Sequence, residues 1–309
     1  MASLLNMSPE DFIFHENYIV TQEDADSNDE PFSMWIAQED KYTPAVKVKT
    51  IKKLPPGVYK ITLNREGYTV NTCNISTDEL YKFNEDTTVN VLNEIKDFWA
   101  KSDLYKKHNF VHKRGLLLQG PPGCGKTSVI NLLIKEIIKL KGLVFIVNTI
   151  NDFSVLSDAL SSVVRTIEPE TPIITIIEDI DQLITTNGND APFLDFLDGK
   201  YSINHHLVIL TSNNTESLSS ALIRPSRVDM LISLKNPNAT TRYEYLQKKG
   251  FPEDQLQECV DKTEDFSFAQ LKEIFVGVVI LGKKIDTVID QLKNPIKADF
   301  LNPEQKIGL

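Results

Sequence analysis

The chain has 309 residues, of which 41% are hydrophobic and 25% are charged, and its net charge is −10. This composition excludes fibrous and disordered proteins, and the length predicts more than one domain. The acidic balance gives no sign of a broad cationic surface, so nucleic-acid binding is possible but unsupported. Cys73, Cys124 and Cys259 lack metal-binding spacing and indicate reduced thiols.

No apolar run approaches the roughly 20 residues that a membrane-spanning helix needs. The N-terminal residues also lack a basic region followed by an apolar core. The sequence therefore predicts a soluble, cytoplasmic protein.

Residues 1–80 predict an acidic segment followed by a small β-rich domain. Glu16–Glu30 carries acidic residues and no lysine or arginine, which is typical of a solvated segment. Four short β-like segments follow: Phe32–Ile36, Ala45–Ile51, Val58–Leu63 and Tyr68–Cys73. The last two are typical of a β-hairpin. We expect this module to recognise a partner.

Residues 81–235 alternate between helical and strand patterns. A helix is predicted from Thr87, with later helices at Ser128–Leu140, Val155–Arg165 and Ala191–Leu197. The apolar runs between them predict buried strands at Gly115–Leu118, Leu143–Val147, Pro172–Ile177 and His206–Leu210. This alternation predicts an α/β fold with a parallel sheet. Residues 236–309 read as helical throughout, which predicts a small α-helical lid: Thr240–Lys249, Pro252–Lys262, Ser267–Leu281 and Ile285–Leu292.

A phosphate-binding loop lies between the strand Gly115–Leu118 and the next helix. Its pattern is G-x-x-x-x-G-K-[ST], in which glycines let backbone N–H groups turn toward phosphate oxygens. Lys126 would neutralise phosphate charge, and the Thr127 hydroxyl would ligate Mg²⁺. The candidate nucleotide-binding residues are Gly120, Pro121, Pro122, Gly123, Cys124, Gly125, Lys126, Thr127 and Ser128.

Three further motifs follow in order. Glu178 and Asp179 end a buried strand beside the loop, where the first acid can support the metal and the second can orient the attacking water. Asn213 ends another buried strand and could hydrogen-bond the water or the γ-phosphate. Arg224 and Arg227 flank a proline and a serine, and arginine neutralises charge on a transferring phosphoryl group.

This order of motifs resembles the AAA family of ATPases, over about residues 87–276. The likeness is greatest to the Bcs-type branch, the mitochondrial Rieske-protein translocases and their relatives, but without their membrane span. It rests on Tyr105, on Lys113–Leu118, on Glu178–Asp181, on Leu197-Asp198-Gly199 and on Ala221–Met230.

The resemblance implies a P-loop NTPase core that uses ATP and Mg²⁺. It implies that Lys126 and Thr127 bind phosphates and Mg²⁺, that Glu178 supports the metal and that Asp179 is the catalytic carboxylate. It also makes Asn213 a sensor, and Arg224 and Arg227 fingers that act on a neighbouring subunit. Phe153 occupies the region of the pore loops, where a buried core aromatic is the favoured interpretation.

We therefore expect an ATPase that forms a homo-oligomeric ring, hexameric or heptameric, and remodels or translocates a protein partner. One alternative is a clamp-loader-like or helicase-loader-like ATPase that acts on nucleic acid. Another is a scaffold that assembles with nucleotide and turns it over hardly at all.

Overall fold

The computed structural model describes residues 32–38, 41–48, 51–65, 67–75, 86–149, 152–187, 191–198, 203–214 and 218–294. The acidic stretch Glu16–Glu30 lies outside these residues. The chain divides into two compact units, Met1–Pro55 and Pro56–Leu309.

The first unit contains an antiparallel pair of strands, β1 (Phe32–Gln38) and β2 (Lys41–Val48). The first predicted strand is confirmed. The second begins earlier than Ala45, because the antiparallel register pairs Gln38 with Lys41 and continues from there.

The second unit is built on a seven-stranded sheet in the order β4-β3-β6-β7-β8-β5-β9. All neighbouring strands are parallel except β3 and β4. Both faces are covered, so the central strands read as continuous apolar runs. The strands are β3 (Gly57–Asn64), β4 (Gly67–Thr72), β5 (Lys113–Gln119), β6 (Leu143–Val147), β7 (Ile173–Ile177), β8 (His206–Ser212) and β9 (Met230–Ser233).

The predicted hairpin is present as β3 and β4, but it extends the main sheet. Residues Gly57–Tyr59 pair in parallel with Leu143–Phe145 of β6, and Val58 belongs to the core of this unit. These strands were assigned to the N-terminal module, whereas the structure places them in the same sheet as the phosphate-binding strand. The division at residues 80 and 235 stays a prediction.

Helices cover the sheet and supply its core. Buried positions of the first and third helices pack with strand residues such as Leu116 and Ile174 in one apolar cluster. The helices of this region are α1 (Asp86–Ala100), α2 (Ser102–Lys107), α3 (Lys126–Lys139), α4 (Asp152–Ala159), α5 (Arg165–Ile167), α6 (Ile180–Asn187) and α7 (Ala191–Asp198). The π-helical turn Leu160–Val164 joins α4 to α5, where the sequence predicted one continuous helix.

Four further helices lie in the segment predicted to be a lid and share a separate apolar core. They are α8 (Ala239–Lys249), α9 (Glu253–Lys262), α10 (Phe268–Phe275) and α11 (Ile285–Lys293). Ser267 caps α10 and forms a capping box with Gln270, which satisfies two otherwise orphan N–H groups. Across the residues that the structure describes, no helix is both long and apolar enough to cross a lipid bilayer.

Candidate nucleotide site

The phosphate-binding loop connects the carboxyl end of β5 to the start of α3. Leu116–Leu118 are fully buried and anchor the strand. Gly123 has a φ of +76°, and a Cβ at this position would lie 2.8 Å from the Cβ of Ala269 and 3.0 Å from the Oγ of Ser267. Glycine is therefore required both by the backbone conformation and by the close approach of the lid.

Lys126 joins the loop to the end of β8. Its Nζ donates hydrogen bonds to the carbonyl oxygens of Gly120 (2.7 Å) and Pro121 (3.1 Å), and to Oδ1 of Asn213 (2.8 Å). The side chain is largely buried. The ammonium group is thus held at the mouth of the loop by oxygen atoms, which an anionic phosphate oxygen can replace.

Thr127 and Glu178 place two oxygen ligands beside the loop. The Thr127 Oγ1 donates to Oε1 of Glu178 at 3.2 Å. Hydroxyl and carboxylate oxygens suit Mg²⁺, which is commonly held by one or two protein ligands together with substrate phosphates. In the described ranges, no group of three or more His, Cys, Asp and Glu side chains could hold a metal ion. Because both donors are oxygen atoms, the Thr127–Glu178 pair fits Mg²⁺ held together with nucleotide phosphates.

Asp179 is held in an unusual backbone conformation. Its φ is +50°, in the left-handed region that residues other than glycine rarely adopt. The Thr211 hydroxyl accepts from its N–H at 2.8 Å, and the side-chain amide of Asn213 donates to its Oδ1 at 2.9 Å. The Asn213 N–H is itself bound by Asp181 Oδ1 at 3.3 Å. Such strain persists where surrounding contacts over-determine it, and it clusters at functional sites.

The loop, Asp179 and Asn213 surround a cleft of about 360 Å³. The predicted residues that line it are Pro122, Gly123, Gly125, Lys126, Thr127, Ser128, Asp179 and Asn213. Gly120, Pro121 and Cys124 are not part of this lining, and Cys124 is buried. Phe268, at the start of α10, also lines the cleft. It was not predicted, because an apolar residue at the start of a helix is more often part of a core.

The two arginines lie in different environments. Arg224 is exposed. The Arg227 guanidinium instead donates from Nε and Nη2 to both carboxylate oxygens of Asp198, and from Nη1 to the carbonyl oxygen of Ala221. The hydrogen bond from Arg227 lowers the pKa of Asp198. Neither arginine is among the described residues that line the cleft.

Phe153 is a buried core residue, in agreement with the interpretation favoured from the sequence. It is 1% exposed and packs against Phe193 and Phe196, with ring centroids 5.3 and 5.8 Å away. Its ring is therefore part of the contact between α4 and α7.

A phosphate loop at the carboxyl end of a central parallel strand, with an acid pair on the strand next but one, defines a P-loop nucleotide-binding protein. Residues 116–236 match the model of the family described as "ATPase family associated with various cellular activities (AAA)". The chain therefore contains an AAA-family domain, which confirms the motif-based identification.

Individual relatives support the same family. The chain is 31% identical over 156 residues to a mitochondrial chaperone BCS1 of Danio rerio, covering 45% of this chain and 36% of that protein. It is 29% identical over 228 residues to a probable mitochondrial chaperone BCS1-B of Dictyostelium discoideum, covering 60% and 48%. It is 28% identical over 188 residues to a proteasome-associated ATPase of Nakamurella multipartita, covering 50% and 32%. The chain thus spans half or less of the length of these relatives.

Proposed function

We propose that the chain hydrolyses ATP as one subunit of a homo-oligomeric ring and couples turnover to remodelling or moving a protein partner. The network that joins Lys126, Asn213 and Asp179 beside Thr127 and Glu178 carries this proposal. It connects the loop cation to the carboxylate suited to activate water.

The chain's own groups would hold MgATP in defined ways. Backbone N–H groups of the loop and the Lys126 ammonium bind phosphate oxygens, and the N-terminus of α3 adds its dipole. Thr127 and Glu178 would supply oxygen atoms to Mg²⁺, directly or through water. When bound, the ion would neutralise phosphate charge that otherwise repels an attacking nucleophile.

Asp179 is the proposed group that orients water and accepts its proton. One of its oxygens, Oδ1, is fixed by Asn213, while Oδ2 forms no hydrogen bond with a described residue. Asn213 contacts both Lys126 and Asp179, so the same amide can sense the presence of phosphate at the loop. This arrangement favours hydrolysis over simple nucleotide storage.

The exposed Arg224 supports a site completed by a second copy of the chain. An arginine supplied from a neighbour stabilises the charge that develops during phosphoryl transfer. In a monomer the exposed Arg224 guanidinium would have no phosphate to bind, because Arg224 does not line the cleft of its own chain. Assembly into a ring would place the phosphates of a neighbouring subunit's nucleotide within reach of Arg224.

A protein partner is favoured over nucleic acid. The relatives carry the names of a mitochondrial chaperone and a proteasome-associated ATPase, which point to protein-directed work. The net charge of −10 also opposes binding to a polyanion.

Phosphate release by the purified chain tests the proposal. The wild type should turn over ATP, Lys126→Ala should bind ATP about 10- to 100-fold more weakly, and Asp179→Asn should bind ATP but hydrolyse it about 10²- to 10⁴-fold more slowly. Lys139→Ala and Asp158→Asn, outside the cleft lining, are the matched controls.

Two outcomes would favour the alternatives. Nucleotide-dependent assembly with almost no phosphate release would indicate a scaffold. A many-fold, salt-sensitive stimulation by DNA or RNA would indicate a nucleic-acid-directed ATPase.

A further inference from the structure

The two arginines of the segment Ala221–Asp229 are not equivalent in the structure. Only 14% of the Arg227 side chain is exposed, and its guanidinium is bound by Asp198 and by the Ala221 carbonyl. Arg224, three residues earlier, is exposed. The guanidinium of Arg224 forms no hydrogen bond or ion pair with a described residue, whereas all three nitrogen atoms of Arg227 are engaged.

The backbone of the segment is equally well held. The N–H groups of Arg227 and Val228 both donate to the carbonyl oxygen of Arg224 at 3.1 Å, which forms a tight turn. Asp229 accepts from the N–H of Ser226 at 3.1 Å and from the N–H of Gly115 at 2.9 Å. The turn is therefore fastened to β5 on one side and, through Arg227, to Asp198 on the other.

The position of Asp198 favours a cationic partner. It is the last residue of α7, where a carboxylate faces the negative end of the helix dipole. A bidentate arginine offsets that repulsion and fixes the direction of the carboxylate. Lys113 also reaches this end of α7 and donates to the carbonyl oxygen of Leu197.

We infer that Arg227 is a positioning residue that acts within its own subunit, clamping the turn to the end of α7 through Asp198, and that Arg224 alone is presented to the neighbour. This inference rests on the proposed ring ATPase and assigns different tasks to two arginines that the sequence treats alike. Withdrawing Arg227 to serve a neighbouring phosphate would leave Asp198 at the helix end without its strongest partner.

A double-mutant cycle on the clamp tests the inference without nucleotide. Asp198→Asn and Arg227→Gln should each lower the melting temperature of the nucleotide-free chain, and the double variant should lower it no further than the larger single effect. The exchange Asp198→Arg with Arg227→Asp should recover part of the loss. Arg224→Gln should leave the melting temperature within about 1 °C of wild type, as expected for an exposed side chain.

Turnover separates positioning from direct action. Arg224→Gln should retain ATP binding and lose about 10³-fold or more in turnover. Asp198→Asn and Arg227→Gln should reduce turnover to similar degrees, because both loosen the same turn. Additive melting effects, or normal turnover in Asp198→Asn alongside a collapse in Arg227→Gln at unchanged melting temperature, would overturn the inference.

Two features keep the experiment decisive. Should Arg227→Gln fail to fold, Arg227→Lys retains the charge but loses the bidentate geometry, and it should then match Asp198→Asn. If the wild-type chain released no phosphate, the proposed ATPase function would be contradicted. The double-mutant cycle on melting temperature would still show whether Arg227 and Asp198 stabilise the turn together.

Discussion

Asn213 fixes the carboxylate of Asp179, since its side-chain amide donates to Oδ1 of Asp179 at 2.9 Å. The oxygen of the same amide accepts from Lys126 at 2.8 Å. The Asn213 side chain therefore connects the Lys126 ammonium group at the loop to the carboxylate of Asp179.

Removal of this bridge should slow hydrolysis more than it weakens binding. Asn213→Ala leaves Lys126 two carbonyl partners but takes from Asp179 its side-chain hydrogen bond. We expect turnover to fall about 10- to 100-fold, the equivalent of one charge-assisted hydrogen bond. Phosphate release and equilibrium ATP binding measure the two effects. Asn214→Ala, at the exposed neighbouring residue, is the control and should change neither by more than about twofold.

The contact between the lid and the loop can be tested at Gly123. Gly123→Ala introduces a Cβ into the start of α10 and strains a backbone with positive φ. Gly67→Ala has comparable strain, with φ of +118°, and meets no atom within 4 Å. Both changes should cost about 1 kcal/mol or more of stability, but only Gly123→Ala should weaken ATP binding. Equal loss of ATP affinity in both variants would contradict a specific contact between lid and loop.

Phe268 should contribute an apolar wall to the nucleotide cleft. Phe268→Ala removes a ring that lines the cleft and also packs against Tyr245, with centroids 5.5 Å apart. We expect ATP affinity to fall about tenfold, from lost apolar contact. Phe275→Ala, also on α10 but outside the cleft, is the control for loss of lid packing. A similar loss of affinity in Phe275→Ala would assign the effect to lid stability.

Acid should destabilise the fold through buried histidines at the opposite end of the strands. Burial lowers the pKa of His112, and it lowers the pKa of His206 well below the usual value of 6.5. The unfolded chain therefore binds more protons, so stability is complete above about pH 6.5 and falls by about 1.4 kcal/mol per pH unit per histidine as pH drops toward the folded pKa. Urea unfolding at several pH values measures this slope. His206→Gln should make it shallower, whereas His108→Gln, at an exposed position, should leave it unchanged.

Local patterns predicted much of the fold and the nucleotide site. The apolar run of β5 and the 3.6-residue period of α3 are properties of neighbouring residues, and the loop between them has a fixed spacing. The acid pair and Asn213 were expected to lie close together because strands in a parallel sheet end at one edge, and the structure brings Asn213 into contact with Asp179.

Other features depend on distant partners and left no local signal. β9 is an edge strand of only four residues whose burial alternates, so its apolar stretch is shorter than those of the central strands. The place of β3 in the main sheet depends on pairing with β6, far along the chain. The contact of Arg227 with Asp198 joins residues from separate motifs, and its geometry was not predictable from either motif alone.

Strand β5 carries the phosphate loop at its carboxyl end and, near its amino end, binds the turn that holds Arg224. A Cβ on Gly115 would come within 1.8 Å of the Arg227 carbonyl oxygen, so the turn rests directly on the strand. A short strand whose central residues are fully buried cannot easily bend. In the proposed ring, a shift of the loop on gaining or losing nucleotide would therefore also displace the turn that holds Arg224, which would couple each site to the site of the next subunit.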